Sequence, residues 1–551
     1  MTFLLRSSWQ MVAIAIGSGF VSGGSSAALI ALISRAISQG TTSSVTALGL
    51  AFLGLVALAL ATSILSQVML IRLSQQAVFH LRLRLSRQIL GSKLAHLERL
   101  GSARLLATLT DDVQSVSDAV RLMPFLCIDL AMVLGGLAYI IWLSWSVFLM
   151  VCVLTVVALG SCQFLLTQGR KQLALAREEQ DHLLKHFRTV TDGTKELKLH
   201  YRRRQAFLRE DLQSTAATFR HHSTWGLTLF AITSTWGKLI FFFAVGFVMF
   251  ALPKFMTLDL QTLSGYILMF TYLMVPMERI VSSLPILSRA GVALDKIESL
   301  GLSLGDAAEV ETVPNPIRHQ WQQLSFQGIT HTYPAEREDS NFGVGPIDLT
   351  LRPGELVFLV GGNGSGKSTL AKLITGLYSP DRGSIFFDDQ PIDHHNREWY
   401  RQHFSVVFAD FYLFDRLLGL DHEDLDQQAQ KYLEQLRLDH KVTVHQGHLS
   451  TTSLSQGQRK RLSLLTAYLE DRPIFLFDEW ASDQDPIFKD LFYTQFLPQL
   501  RDQGKTVLVI SHDDHYFDWA DRIIKLDYGQ IEYDQVQGDR SGDRSASMVS
   551  P

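Results

Sequence analysis

Cysteine is scarce in this chain: 551 residues contain only Cys127, Cys152 and Cys162. None stands in a C-x-x-C pair or at a metal-ligand spacing, which excludes a thiolate metal site and leaves buried free thiols as the expectation. Charge of one sign is scarce as well. Lys and Arg number 50 against 54 Asp and Glu, a net −4. Without a basic field, nucleic acid is not an expected partner. A cleavable signal is also lacking: Arg6 is followed by apolar residues well past Leu29, and no small-residue cleavage site ends a short core. The N-terminus therefore reads as a first membrane helix.

Apolar residues are abundant, at 47 % of the chain, and they lie almost wholly before residue 290. A chain this long needs two or three domains. Six apolar runs, near 11–37, 45–71, 123–144, 146–168, 225–252 and 259–288, are long enough to cross a ~30 Å hydrocarbon core. The third and fourth nearly fuse around Leu143-Ser144-Trp145. The second connection carries Arg72, Arg82, Arg84, Arg87, Lys93, Arg99, Arg104 and Arg121. The fourth carries Arg170, Lys171, Arg177, Lys185, Arg188 and Arg202-Arg203-Arg204. The odd connections have only Lys254. Positive residues mark the cytoplasmic side, so both long connections and both termini are expected there. Helical spacing of Leu81, Leu85, Ile89, Leu90, Leu94 and Leu97 suggests that membrane helices continue into the cytoplasm. The basic residues of these connections read as a solvated face, with lipid or nucleotide contact as the alternative.

Asp129 and Lys238 fall inside expected spans, where a charge is costly and usually faces a cavity or a partner helix. Either a cargo path or helix packing would account for them. Glu278 could pair with its neighbour Arg279.

After about Gln320 the apolar runs shorten to strand length. Residues 291–319, with Pro314 and Pro316, read as a linker. Strands near 324–329, 356–360, 405–408, 474–477 and 507–510, with helical stretches between, indicate an α/β domain over 320–535 with a largely parallel sheet. Residues 536–551, rich in Ser, Gly, Asp and Arg, read as a disordered tail.

Within this half, Leu356–Val360 leads into Gly361-Gly362-Asn363-Gly364-Ser365-Gly366-Lys367-Ser368-Thr369 and then a helix-like Leu370–Ile374. Strand, glycine loop and helix in that order are what a G-x-x-x-x-G-K-[ST] phosphate site requires. Glycine lets backbone N–H groups converge on phosphate oxygens, and the helix dipole adds positive potential. Lys367 can reach the outer phosphates, and the Ser368 hydroxyl can meet Mg²⁺. Ile474-Phe475-Leu476-Phe477-Asp478-Glu479 is a buried strand ending in two carboxylates. Asp478 suits a metal partner and Glu479 a water-activating base. ATP with Mg²⁺ is the expected cofactor pair.

Together with these motifs, Leu454-Ser455-Gln456-Gly457-Gln458, Ser482-Asp483-Gln484-Asp485 and His512 after Val507–Ile510 resemble the ATP-binding cassette (ABC) family. The resemblance covers the whole chain and implies an exporter half-transporter, with a six-span α-helical membrane domain (1–290) followed by an α/β P-loop domain. It implies that the signature caps ATP bound to the opposite subunit, hence a homodimer with shared sites. Ser455, Gly457 and Gln458 would lie at that nucleotide, with Gln456 in place of a glycine and with Asp485 nearby. It implies that His512 contacts the γ-phosphate, and that Tyr333 stacks on adenine unless it is an ordinary strand-edge tyrosine. Coupling segments are implied near Leu97–Ala103 and Thr191–Lys195. One departure stands out. Ala409 occupies the position of a metal-contacting glutamine, and Asp410 could offer an oxygen instead.

Phe404–Phe414, Leu454–Leu462 and Asp478–Pro486, including Trp480, look like the bacterial branch that exports cyclic peptides and siderophores, such as the pyoverdine precursor, syringomycin and lasso-peptide microcin. A peptide-like cargo at the inner membrane is thus the leading expectation. A general lipid or drug exporter and a non-transporting ATPase sensor are the alternatives. The chain enters its first span directly, so no leader-processing peptidase domain is expected.

Overall fold

The computed structural model describes residues 9–39, 45–251, 254, 260–300, 316–333, 342–420 and 424–537. The chain forms two compact units, Met1–Arg87 with Ala103–Gly301, and Gln88–Ser102 with Leu302–Pro551. The expected connections at 40–44 and 252–259 (except Lys254), the linker stretch 301–315 and the tail from 538 lie outside the described residues.

Among the described residues, the first half is built on six long helices: α1 Trp9–Gln39, α2 Val45–Leu90, α3 Val113–Leu143, α4 Trp145–Asp192, α5 Gln213–Gly246 and α6 Leu260–Ser299. Each contains or overlaps one expected span. Among the described residues five helical stretches, Gly17–Ala36, Leu48–Leu90, Arg104–Leu143, Tyr201–Ala251 and Thr262–Ser299, are long and apolar enough to cross a membrane. Helix α4, several of whose side chains fall outside the described set, is not among the five. Between α3 and α4 only Ser144 breaks the helix, with extended dihedrals of −165° and 124°. Residues 291–299, read above as linker, instead continue α6, which runs through Pro276 and Pro285 without ending. Cys127 and Cys162 are free thiols, half-buried rather than buried.

Charges within the spans find partners across helices. Lys238 on α5 meets Glu278 on α6 at 2.8 Å, and Ser234 adds a hydroxyl donor at 3.0 Å. Arg279 turns the other way, to the fully buried Asp129 on α3 at 3.4 Å. The expected Glu278–Arg279 pairing is therefore replaced by two interhelical pairs. Successive residues on a helix point apart by about 100°, so adjacent side chains seldom face each other.

The second unit is organised by a six-stranded sheet in the order β12-β11-β3-β10-β9-β6. Its strands are β3 Leu356–Val360, β6 Phe404–Val407, β9 Ile474–Asp478, β10 Thr506–Ile510, β11 Arg522–Asp527 and β12 Gln530–Val536. All neighbours are parallel except β12 on β11. A second, antiparallel sheet, β2-β1-β4-β5, comprises β1 Leu324–Thr332, β2 Gly343–Leu351, β4 Arg382–Phe387 and β5 Gln390–Pro391. The strand expected at 324–329 thus joins this second sheet, where it pairs with β2 and β4. A short hairpin of β7 Val444–His445 and β8 His448–Leu449 completes the strands.

The parallel sheet is buried on both faces, so its strands read as unbroken apolar runs rather than alternating ones. Along β3, Leu356, Phe358 and Val360 enter one core, while Val357 and Leu359 enter the other. Each such side chain contributes about 1.5–3 kcal/mol on burial. The result is a rigid platform with β3, β9 and β10 side by side.

Candidate nucleotide site

The ends of β3, β9 and β10 carry the residues expected at the nucleotide. Beyond β3 the chain turns through Gly361 at φ 147° and Gly366 at φ 100°. A Cβ on Gly361 would sit 2.3 Å from the Leu526 carbonyl oxygen, so only glycine fits there. Gly366 then starts helix α7, Lys367–Ile374. Lys367, almost fully buried, donates from Nζ to the carbonyls of Gly361 and Gly362, both at 2.9 Å. Burial pushes its pKa down, opposed by the carboxylates of Glu479 and Asp478.

Asp478 ends β9, nearly buried. Burial raises its pKa, a hydrogen bond from Ser368 lowers it, and Glu479 and Asp410 raise it further; Ala409 contributes a backbone hydrogen bond that lowers it. Its Oδ1 atom is buried without a hydrogen-bond partner. An orphan carboxylate oxygen beside a serine hydroxyl is a fitting place for Mg²⁺, which prefers few protein ligands together with phosphate and water oxygens. Among the described residues no three His, Cys, Asp or Glu side chains gather into a metal cluster.

Glu479 follows in a left-handed conformation, φ 49° and ψ 32°. Its Oε1 lies 3.1 Å from His512 Nε2, and both side chains are partly open to solvent. His512 stands just beyond β10, which is paired in register with β9 up to Ile510 opposite Asp478. Glu479 donates its backbone N–H to the Ile510 carbonyl at 3.1 Å. The parallel pairing of β9 and β10 thus brings together two residues far apart in sequence.

Tyr333 lies just beyond β1. Its hydroxyl is 3.1 Å from Thr369 Oγ1 and 3.4 Å from the Tyr378 hydroxyl, and its ring meets His331 edge-on. Tyr378 in turn donates to Glu98, and Lys372 Nζ reaches Glu98 Oε1 at 2.8 Å. Glu98 belongs to the short helix Leu94–Leu100, whose Leu94 and Ala95 pack on the cassette core. No single-sequence signal pointed to Tyr378, Lys372 or His331.

The signature residues form a second group. Ser455 caps helix α8, Gln456–Glu470, in a capping box with Gln458. Gln456 reaches Asp483 Oδ2 at 3.1 Å, and Gln484 donates to the Gly457 carbonyl at 3.0 Å. Asp485 caps the helix Pro486–Leu491, accepting from the Phe488 N–H at 3.0 Å, and bonds Arg461. The signature is thereby tied to Ser482–Asp485 of its own chain, while the glycine loop gathers with Asp478. Asn363 and Gly364 lie exposed at the loop tip.

Residues 344–482 match the family described as ABC transporter, and residues 10–277 match its transmembrane region. The ATP-binding protein SyrD of Pseudomonas syringae pv. syringae is 36 % identical over 537 residues, spanning 95 % of this chain and 94 % of SyrD. The chain belongs to the ABC transporter family. This ABC exporter is an integral inner-membrane protein whose cytoplasmic domain binds ATP and couples its hydrolysis to transport. An ATP-dependent lipid A-core flippase of Thiobacillus denitrificans is 24 % identical, spanning 95 % of this chain and 92 % of the flippase. A probable syringafactin export protein, SyfD, of Pseudomonas syringae pv. syringae is 31 % identical over 39 % of this chain and 35 % of its own length. The structure of a bacterial Atm1-family ABC exporter with ATP bound shares the fold, at TM-score 0.76 and 17 % identity over 96 % of each chain.

Proposed function

We propose that the chain is a six-span half-transporter that forms a homodimer and exports a peptide-like secondary metabolite. The observation that carries the dimer is the bonding of Ser455–Gln458 to Asp483–Asp485 in their own chain, with the glycine loop organised separately around Asp478. A complete site then needs the signature of a second copy.

In each site the glycine-loop N–H groups and the amino end of α7 bind the phosphates, and Lys367 moves from the loop carbonyls onto the outer phosphates. Ser368 and Asp478 would hold Mg²⁺, with Asp410 lending a further oxygen, and when bound the ion would supply positive charge against the phosphates. Glu479 accepts the proton of the attacking water, and His512 orients Glu479 and the γ-phosphate. Tyr333 presents its ring to adenine. ATP shifts the membrane half only as far as it binds the closed dimer more tightly than the open one.

Full-length likeness to SyrD and the partial likeness to SyfD, a probable syringafactin exporter, support a peptide-like cargo. Likeness to the lipid A-core flippases, at lower identity, supports lipid as a second reading. Inside-out proteoliposomes offered a cyclic lipopeptide should accumulate it with ATP, and Glu479→Gln should stop the uptake. Lipid flipping without lipopeptide uptake would favour the second reading, and ATP hydrolysis without flux of either would overturn both readings of the cargo.

A further inference from the structure

Lys460 is a cation on α8 with almost no access to solvent. A lysine in such a place must be held by partners, and all of its partners lie on the segment that carries Glu479. Nζ donates to the Glu479 carbonyl at 3.1 Å and to Ser482 Oγ at 3.0 Å, and pairs with Asp483 Oδ2 at 2.7 Å. Asp483 also accepts from Gln456, and the bond with Lys460 holds its carboxyl below the usual carboxylate range.

The connection runs in both directions. The Trp480 indole N–H donates to the Lys460 carbonyl at 2.7 Å, as does Ser463 Oγ at 2.6 Å. Trp480 is itself buried against Phe492, ring centroids 4.3 Å apart. The side chain of 460 therefore holds the backbone of 479, and the side chain of 480 holds the backbone of 460.

Glu479 needs such holding. A non-glycine residue at φ 49° is strained, and strain of this kind persists only where neighbours over-determine it. Its carbonyl accepts from Lys460 Nζ, from Ser482 Oγ at 2.8 Å and from Ser482 N at 3.3 Å. That backbone conformation aims the Glu479 side chain at His512. We propose that Lys460 is a positioning residue for ATP hydrolysis: with Trp480 it locks the strained backbone of Glu479 to the signature helix. Ser455, at the amino end of the same helix, would then report its contact with ATP to the base of its own cassette.

The inference rests on Glu479 being the water-activating carboxylate, which Glu479→Gln tests by itself. Lys460→Met fills the same volume and leaves Asp483 at the surface with Gln456, so no buried charge is stranded. In purified dimers we expect its kcat to fall ~10-fold or more, since small displacements of a catalytic group are costly, with the KM for ATP and the melting temperature close to wild type. Trp480→Phe removes the indole N–H together with part of the buried ring, so it should lower the melting temperature somewhat and give a smaller fall in kcat of the same kind, with the KM for ATP unchanged. Turnover of Lys460→Met within ~2-fold of wild type, while Glu479→Gln is dead, would overturn the inference and leave the assignment of Glu479 standing. Should Lys460→Met fail to fold, Trp480→Phe decides: a selective loss of kcat supports the lock, and wild-type turnover contradicts it. Active Glu479→Gln would instead remove the premise.

Discussion

Glu479 concentrates the chemistry at the residue scale: its carboxylate meets His512 at 3.1 Å, and its backbone is strained at φ 49°. Exchanging that carboxylate for an amide keeps the shape and removes the proposed base. Glu479→Gln should lower ATP turnover at least ~10²-fold, the usual contribution of a positioned general base, with ATP affinity unchanged. Phosphate release and nucleotide binding on the same sample check both halves. His512→Ala should lower kcat through the loss of orientation while the glycine loop still binds ATP. Asp485 plays a quieter part here, because the Phe488 N–H and Arg461 already engage its carboxylate.

At the scale of elements, the parallel strands place the site and the antiparallel sheet steadies its edge. His403, fully buried just before β6, accepts the Arg318 N–H at Nε2, 3.0 Å away, and its Nδ1 lies 3.1 Å from the Trp399 carbonyl. That pattern requires a neutral ring, and burial keeps its pKa below the ordinary 6.5. A base with a depressed folded pKa contributes stability above its unfolded pKa and loses it as pH falls. The cassette should therefore melt at progressively lower temperature below about pH 6.5, and His403→Gln should flatten that slope. The helix Leu94–Leu100 offers a second test, since Glu98 is bonded by both Lys372 and Tyr378. Glu98→Ala should preserve basal ATP hydrolysis and reduce ATP-driven uptake, measured side by side in proteoliposomes.

These elements also show what a single sequence discloses. The glycine loop, Asp478-Glu479 and the signature were legible because each is a short contiguous string whose residue types serve one chemistry. The contacts of Glu98 with Tyr378, of Lys460 with Glu479, and of Lys238 with Glu278 join residues distant in sequence. No local pattern encodes them. Strand β2 was hidden for a related reason. Gly343-Val344-Gly345-Pro346 looks like a turn, and only pairing with β1 makes it a strand.

At the scale of the molecule, one chain supplies a glycine loop on one strand platform and a signature bound to its own Asp483–Asp485. In the proposed dimer, ATP joins these two halves across two copies. The most direct measurement is cross-linking after replacing Cys127, Cys152 and Cys162 by serine. Asn363→Cys at the loop tip and Ser453→Cys beside the signature, both exposed in the single chain, are combined with Glu479→Gln. With ATP and Mg²⁺, oxidation should give a covalent species of twice the 61.9 kDa chain mass, and without nucleotide it should give little. A cross-link confined to single chains, or none that depends on ATP, would contradict the shared site.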